Sequence, residues 1–179
     1  RKEFRVHYQP VYRLEDGRLK GFEALVRWQH PRRGLLAPGA FLGVAEESGL
    51  IVQLGEWVLK ESCRQLKHWS EEHPAAADLS VAVNVSDRQI HRPELVSKVV
   101  SCIDASGLDR SRIALEITEN LVMEHADRAQ AVLRELNEGG LELHLDDFGT
   151  GYSSLSYLRR LPLNCLKIDR SFVFKIDND

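Results

Sequence analysis

The strand-like segments of this chain alternate strictly between aliphatic residues and small or polar ones, and that alternation constrains the fold more than any other feature. Phe22, Ala24 and Val26 alternate with Glu23, Leu25 and Arg27; Val81, Val83 and Val85 with Ser80, Ala82 and Asn84. Ile113, Leu115 and Ile117 alternate with Ala114, Glu116 and Thr118; Leu141, Leu143 and Leu145 with Glu142, His144 and Asp146; and Leu166 and Ile168 with Cys165, Lys167 and Asp169. Neighbouring side chains on a strand point to opposite faces. Strands of an open parallel sheet, buried on both sides, read instead as unbroken aliphatic runs. Here one face suits packing under helices, while the other carries polar groups late in each strand. A barrel accounts for both, with aliphatic residues toward outer helices and a polar lumen richest near its C-terminal rim.

The segments between the strands agree. "FRVHYQPVYRL" and "RLKGFEALVRW" flank the turn signal "EDG", so the chain opens with an antiparallel hairpin. Helices are expected over about residues 39 to 47 and 50 to 72, the second with apolar residues at helical spacing. Thereafter strand and helix alternate: "LSVAVNV" leads into "PELVSKVVSCIDASG", "RIALEIT" into "ADRAQAVLRELNEGG", "LELHLDD" into "SSLSYLRRL", and "NCLKID" comes last. Pro93 suits a first helical turn, and Gly107, Gly139 and Gly140 suit helix ends. Alternating β and α segments without a long sequence repeat, a Gly/Ser linker or a low-complexity tract imply one continuous α/β domain over residues 1–179.

Composition sets limits. An apolar content of 43% supports a substantial core, and a formal net charge of −3 with dispersed Lys and Arg excludes electrostatic attraction to a DNA or RNA polymer. Cys63, Cys102 and Cys165 are odd in number and far apart in sequence, which argues against a disulfide framework or zinc ribbon and for a reducing, cytoplasmic location. No apolar run approaches the roughly 20 residues of a membrane helix, although a longer parent protein could be membrane-anchored.

The polar strand faces point to chemistry. Asn84, Glu116 and Asp146 are separated by 32 and 30 residues, about one βα unit each, so they are expected at the same height on successive strands. Glu23 and Lys167 extend the ring. Clustered carboxylates repel, and a divalent cation relieves that repulsion; all-oxygen ligation with an Asn carbonyl suits Mg²⁺ or Mn²⁺ better than zinc. With Asp147 beside Asp146, two ions become possible, the usual device for in-line phosphodiester hydrolysis. Arg27, on the face of Glu23, suits a two-pronged phosphate contact. Two adjacent aspartates cannot both face inward on a regular strand, so either one is incidental or the strand stops between them, placing Asp147 in the "FGTGYSS" loop. His144 reads as a hydrogen-bonded lumen residue, and Asp169 as either a site residue or the stabiliser of the turn at Arg170.

The motifs "FEALVRW", "VNVS", "LEITEN", "LDDFGTGYSSLSYL" and "LKID", in this order, resemble the EAL family of bacterial cyclic-di-GMP-specific phosphodiesterases over about residues 4 to 174. The resemblance implies a TIM-like (β/α)8 barrel with an antiparallel first strand, and hydrolysis of cyclic di-GMP to linear pGpG. It implies that Glu23, Asn84, Glu116 and Asp146 bind a first metal ion and that Asp146 and Asp147 hold a second. Lys167 would position or help deprotonate the attacking water, making it and Glu23 the catalytic pair. Glu119 would anchor the loop after Asp147, and Gln9, Leu25 and Arg27 would lie on the substrate side. Family members continue beyond "LKID" with two further strands that carry a metal-site glutamate and a substrate-side glutamine. The chain is therefore expected to be a trimmed barrel from a longer protein, a homodimer linked to sensory, receiver or GGDEF-type domains. The alternative is a catalytically silent module that binds the nucleotide and relays a signal. A glycosidase barrel accounts for the acidity but not for the paired aspartates, the Asn and the Lys.

Overall fold

The structure, a computed structural model, describes residues 3–124, 126–150 and 158–174. β1 (Phe4–Tyr12) and β2 (Leu19–His30) form the expected antiparallel hairpin, closed by the Arg13 backbone N–H donating to the Arg18 carbonyl at 2.8 Å. β3 (Gly34–Leu36) pairs antiparallel with the end of β2. A 3-10 turn at Pro38–Ala40 leads to α1 (Leu42–Glu47) and α2 (Leu50–Glu72), which buries Ile51, Leu54, Val58, Leu59, Cys63 and Leu66 along one face at helical spacing. Then follow β4 (Ser80–Asn84), α3 (Asp87–Ile90), α4 (Leu95–Ser106), β5 (Ile113–Thr118), α5 (Glu119–Glu124), α6 (Ala126–Glu138), β6 (Glu142–Phe148), β7 (Cys165–Ile168) and α7 (Arg170–Val173).

The strands lie in the order β1-β2-β4-β5-β6-β7, parallel from β2 onward, with β3 attached to β2. This is a TIM-like α/β architecture entered through an antiparallel first strand. The alternation places its two faces as expected: Val81, Val83, Ile113, Leu115, Ile117, Leu143 and Leu145 pack in one core with Leu59, Cys63 and Leu66 of α2, Val99 and Ile103 of α4, and Leu133 and Leu136 of α6. On the other face, the small buried residues Ala82 and Ala114 leave room above them for longer polar side chains.

Four expectations need correction. Asn84 is level with Glu116, but Asp146 is not: Glu116 pairs with His144, and Asp146 with Thr118 one inward position higher. Glu23 is level with Ala82, one inward position below Asn84. Tilted barrel strands produce this stagger, and sequence spacing alone cannot show it. Pro93 lies before the N-cap Glu94 rather than in the first turn of α4. Leu166 and Ile168 are 48% and 62% exposed, so no helix among the described residues covers the outer face of β7. The short β3, α3 and α5 carry too few residues to show a period. Most of the helix expected over "SSLSYLRRL" lies outside the described residues, although Leu158 and Leu161 are buried. No described helix is long and apolar enough to cross a membrane.

Glycine is required where β2 approaches β4. A Cβ on Gly21 would collide with the Ser80 carbonyl oxygen and would lie 2.7 Å from the Ser80 hydroxyl. Gly21→Ala should therefore lower unfolding free energy by about 1–3 kcal/mol in chemical denaturation, the usual cost of overpacking. An unchanged midpoint and slope would contradict this close approach.

Candidate metal centre

Four inward side chains from four strands converge on one point. Lys167 Nζ lies 3.0 Å from Glu23 Oε2, 2.9 Å from Glu116 Oε1 and 3.2 Å from Asp146 Oδ2. Ligand atoms of the three carboxylates all lie within 4.8 Å of one another. The stagger makes this possible: the donors start at different heights, and their side chains reach one centre. Asn84 joins from β4, its Nδ2 donating to Glu23 Oε1 at 3.2 Å. A half-turn of that amide exchanges its nitrogen and oxygen, which presents Oδ1 to the centre.

Glu116 is the deepest member, only 2% exposed. Burial pushes its pKa up, but His144, with Nδ1 at 3.7 Å, and Lys167 outweigh burial and hold the carboxyl below its ordinary value. His144 also meets Glu142 Oε2 at 3.2 Å, which supports its reading as a hydrogen-bonded lumen residue. Burial pulls the Lys167 pKa down, and Glu116 and Glu23 more than reverse this, so the ammonium is held above its ordinary value. With these partners Lys167 is a charged donor to the three carboxylates.

The two aspartates resolve in a way the sequence did not suggest. The strand neither stops at Asp146 nor leaves Asp147 to the loop, because β6 runs on to Phe148. Leu145 is opposite Leu166 and Phe148 opposite Ile168, so Asp146 and Asp147 together face the single residue Lys167. This is a β-bulge, a device that re-aims side chains where a strand must turn. Asp147 has φ 55°, the only positive φ at a non-glycine among the described residues, and Asp tolerates that region better than most residues. Its backbone N–H donates to Asp146 Oδ1 at 3.0 Å. Burial and the charges of Asp146 and Asp169 push the Asp147 pKa up.

Beyond the bulge, Glu119 Oε2 accepts from the Gly149 backbone N–H at 2.8 Å, and Thr150 Oγ1 donates to the Asp147 carbonyl at 2.8 Å. Glu119 is itself buried and thus ties the start of the loop to α5. Asp169 accepts from the Ser171 N–H at 2.9 Å and caps α7, the second of its two expected readings. Gln9, level with Glu23, is exposed; Leu25 and Arg27 rise above Glu23 on the same face, half-buried, with Arg27 Nη1 donating to the Val26 carbonyl. Arg5 is opposite Arg27, where alternation across the hairpin places it.

The residues fit a divalent cation. Three carboxylates share one ammonium, which leaves negative charge uncompensated, and Glu116 Oε2 is buried without a hydrogen-bond partner among the described residues. The donors are oxygen, with no cysteine among them, as Mg²⁺ or Mn²⁺ prefers.

The EAL domain family model matches residues 1–179. The chain belongs to the EAL family. It is 45% identical over 179 residues to the bifunctional diguanylate cyclase/cyclic di-GMP phosphodiesterase MucR of Pseudomonas aeruginosa, covering all of this chain and 26% of that protein. It is 46% identical over 175 residues to the cyclic di-GMP phosphodiesterase NbdA of the same organism, covering 97% of this chain and 22% of that one. A solved MucR phosphodiesterase in complex with cyclic di-GMP superposes with a TM-score of 0.93 at 45% identity, covering 99% of this chain and 71% of the other. The EAL chain described here thus spans about a quarter of the length of these curated relatives. The EAL tripeptide itself is Glu23-Ala24-Leu25, in which Glu23 reaches the carboxylate centre and Ala24 is buried in the core.

A depressed carboxyl pKa contributes stability that is present above its unfolded value, 4.5 for Glu116, and is lost as pH falls through the lower folded value. In the presence of chelator, Glu116→Gln should therefore destabilise the protein near neutral pH, and the deficit should shrink below pH 4.5. A deficit independent of pH would show that Glu116 is not held as the anion.

Proposed function

We propose that this EAL chain is the catalytic domain of a divalent-metal-dependent phosphodiesterase that hydrolyses cyclic di-GMP to linear pGpG. The convergence of Glu23, Glu116 and Asp146 on one point carries the reading. The names of MucR and NbdA and the cyclic di-GMP held by the solved MucR phosphodiesterase support the substrate.

Glu23, Asn84, Glu116 and Asp146 hold one ion, and Asp146 and Asp147 hold a second, each ion being Mg²⁺ or Mn²⁺. When bound, such ions supply positive charge to the phosphodiester and lower the pKa of water. The bulge lets two adjacent carboxylates of one strand serve one site, and the raised pKa of Asp147 reflects burial first and then the crowding by Asp146 and Asp169, which a cation relieves. Lys167 orients the attacking water by donating to it; its retained proton favours this role over that of a base. Gln9 and Arg27 contact the dinucleotide from the face of Glu23, with Leu25 against it, and the Arg27 guanidinium suits a two-pronged phosphate contact. Glu119 holds the loop that positions Asp147. The domain acts in the cytoplasm as a homodimer joined to sensory, receiver or GGDEF-type domains, and the cyclase paired with a phosphodiesterase in MucR's name supports the last of these.

The test is incubation of the protein, at its natural length, with cyclic di-GMP and Mg²⁺ or Mn²⁺, with pGpG followed by chromatography. The wild type should turn over, and Glu23→Ala and Asp146→Ala should each lose about a hundredfold or more. Wild-type binding without turnover would overturn the hydrolase in favour of a silent sensor. Retained activity in Asp146→Ala would overturn the metal assignment.

A further inference from the structure

Outside the barrel, away from the carboxylates, α2 packs against α4. Cys63 of α2 and Cys102 of α4, 39 residues apart in sequence (102 − 63), adjoin there on the facing sides of the two helices, close enough for each thiol to shift the pKa of the other. Cys63 is 1% exposed and belongs to the main core, whereas Cys102 is half-buried and packs against that core from its edge. Both line a cavity of about 770 Å³ between the two helices, with Lys60 and Ser106 beside them.

We propose that Cys63 and Cys102 form a two-thiol site that a hydroperoxide oxidises to an intramolecular disulfide, reversibly bolting α2 to α4. The geometry assigns different tasks to the two sulfurs. Cys102 is the accessible one, and the adjoining Cys63 thiol with the Lys60 ammonium outweighs burial and holds its thiol below the ordinary value. That favours the nucleophilic thiolate. Cys63 adjoins Cys102 and is buried, and both push its thiol up.

The Cys102 thiol first gives its proton to solvent; the thiolate attacks one oxygen of hydrogen peroxide, the O–O bond breaks, and the departing hydroxide takes a proton back from solvent and leaves as water, giving a sulfenic acid at Cys102. The Cys63 thiol then attacks that sulfur; its proton goes to the departing hydroxyl, a second water leaves, and the S–S bond forms. Two thiols lose two electrons and one hydroperoxide gains them. Cys165 stands apart in β7, level with His144 on the lumen side, and serves as an internal control. Nothing in this site depends on the phosphodiesterase reading.

The experiment is treatment of the natural-length protein with hydrogen peroxide, followed by non-reducing peptide mapping. The peptides of Cys63 and Cys102 should appear joined, two hydrogens lighter than their sum, and should separate with dithiothreitol while Cys165 stays reduced. Cys102→Ser replaces the half-exposed partner and leaves the core thiol in place, which far-UV circular dichroism verifies. It should abolish the linked pair and slow loss of the Cys63 thiol at least about tenfold. Accumulation of Cys102 sulfinic acid with Cys63 still free would overturn the proposal. So would Cys63 oxidising at an undiminished rate in Cys102→Ser.

Discussion

One ammonium among three carboxylates organises the mouth of this barrel. Lys167 reaches Glu23, Glu116 and Asp146 at 3.2 Å or less, and those groups come from β2, β5 and β6. Carboxylates this close repel strongly in a partly desolvated lumen, so the cluster needs positive charge to persist. Lysine supplies one unit. The remaining negative charge and the unpartnered Glu116 Oε2 make the centre receptive to a small, hard cation.

Two backbone devices set that geometry. The stagger between neighbouring strands brings donors of unequal height to one centre: Glu23 is level with Ala82, Asn84 with Glu116, and Thr118 with Asp146. The bulge opposite Lys167 then places two consecutive aspartates at the strand's end without the alternation that would separate them. Asp147 takes a left-handed conformation there, and Glu119 secures the backbone at Gly149. Rigid strands thus carry the deep carboxylates, and a deformed strand end carries the outer one.

Much of this was legible in the sequence, for identifiable reasons. Alternation with a period of two named the inward faces of β2, β4, β5, β6 and β7, and the βα spacing selected Asn84, Glu116 and Asp146. What stayed hidden depends on relations between strands. Register sets the height of Asp146 against Thr118 rather than Glu116, and no single strand encodes it. The bulge needs β7 as its reference, so "LDD" alone reads as an ending. Cys63 and Cys102 meet only because α2 and α4 pack together, which linear spacing conceals. Arg5 was within reach, since pairing across the hairpin puts it opposite Arg27.

Anomalous diffraction from crystals grown with Mn²⁺ tests the central claim most directly. The account predicts a manganese peak among Glu23, Asn84, Glu116 and Asp146, with Glu116 Oε2 among its ligands. Manganese bound elsewhere, or none bound while Lys167 still bridges the three carboxylates, would show that the cluster is a lysine-neutralised structural network and not a metal site.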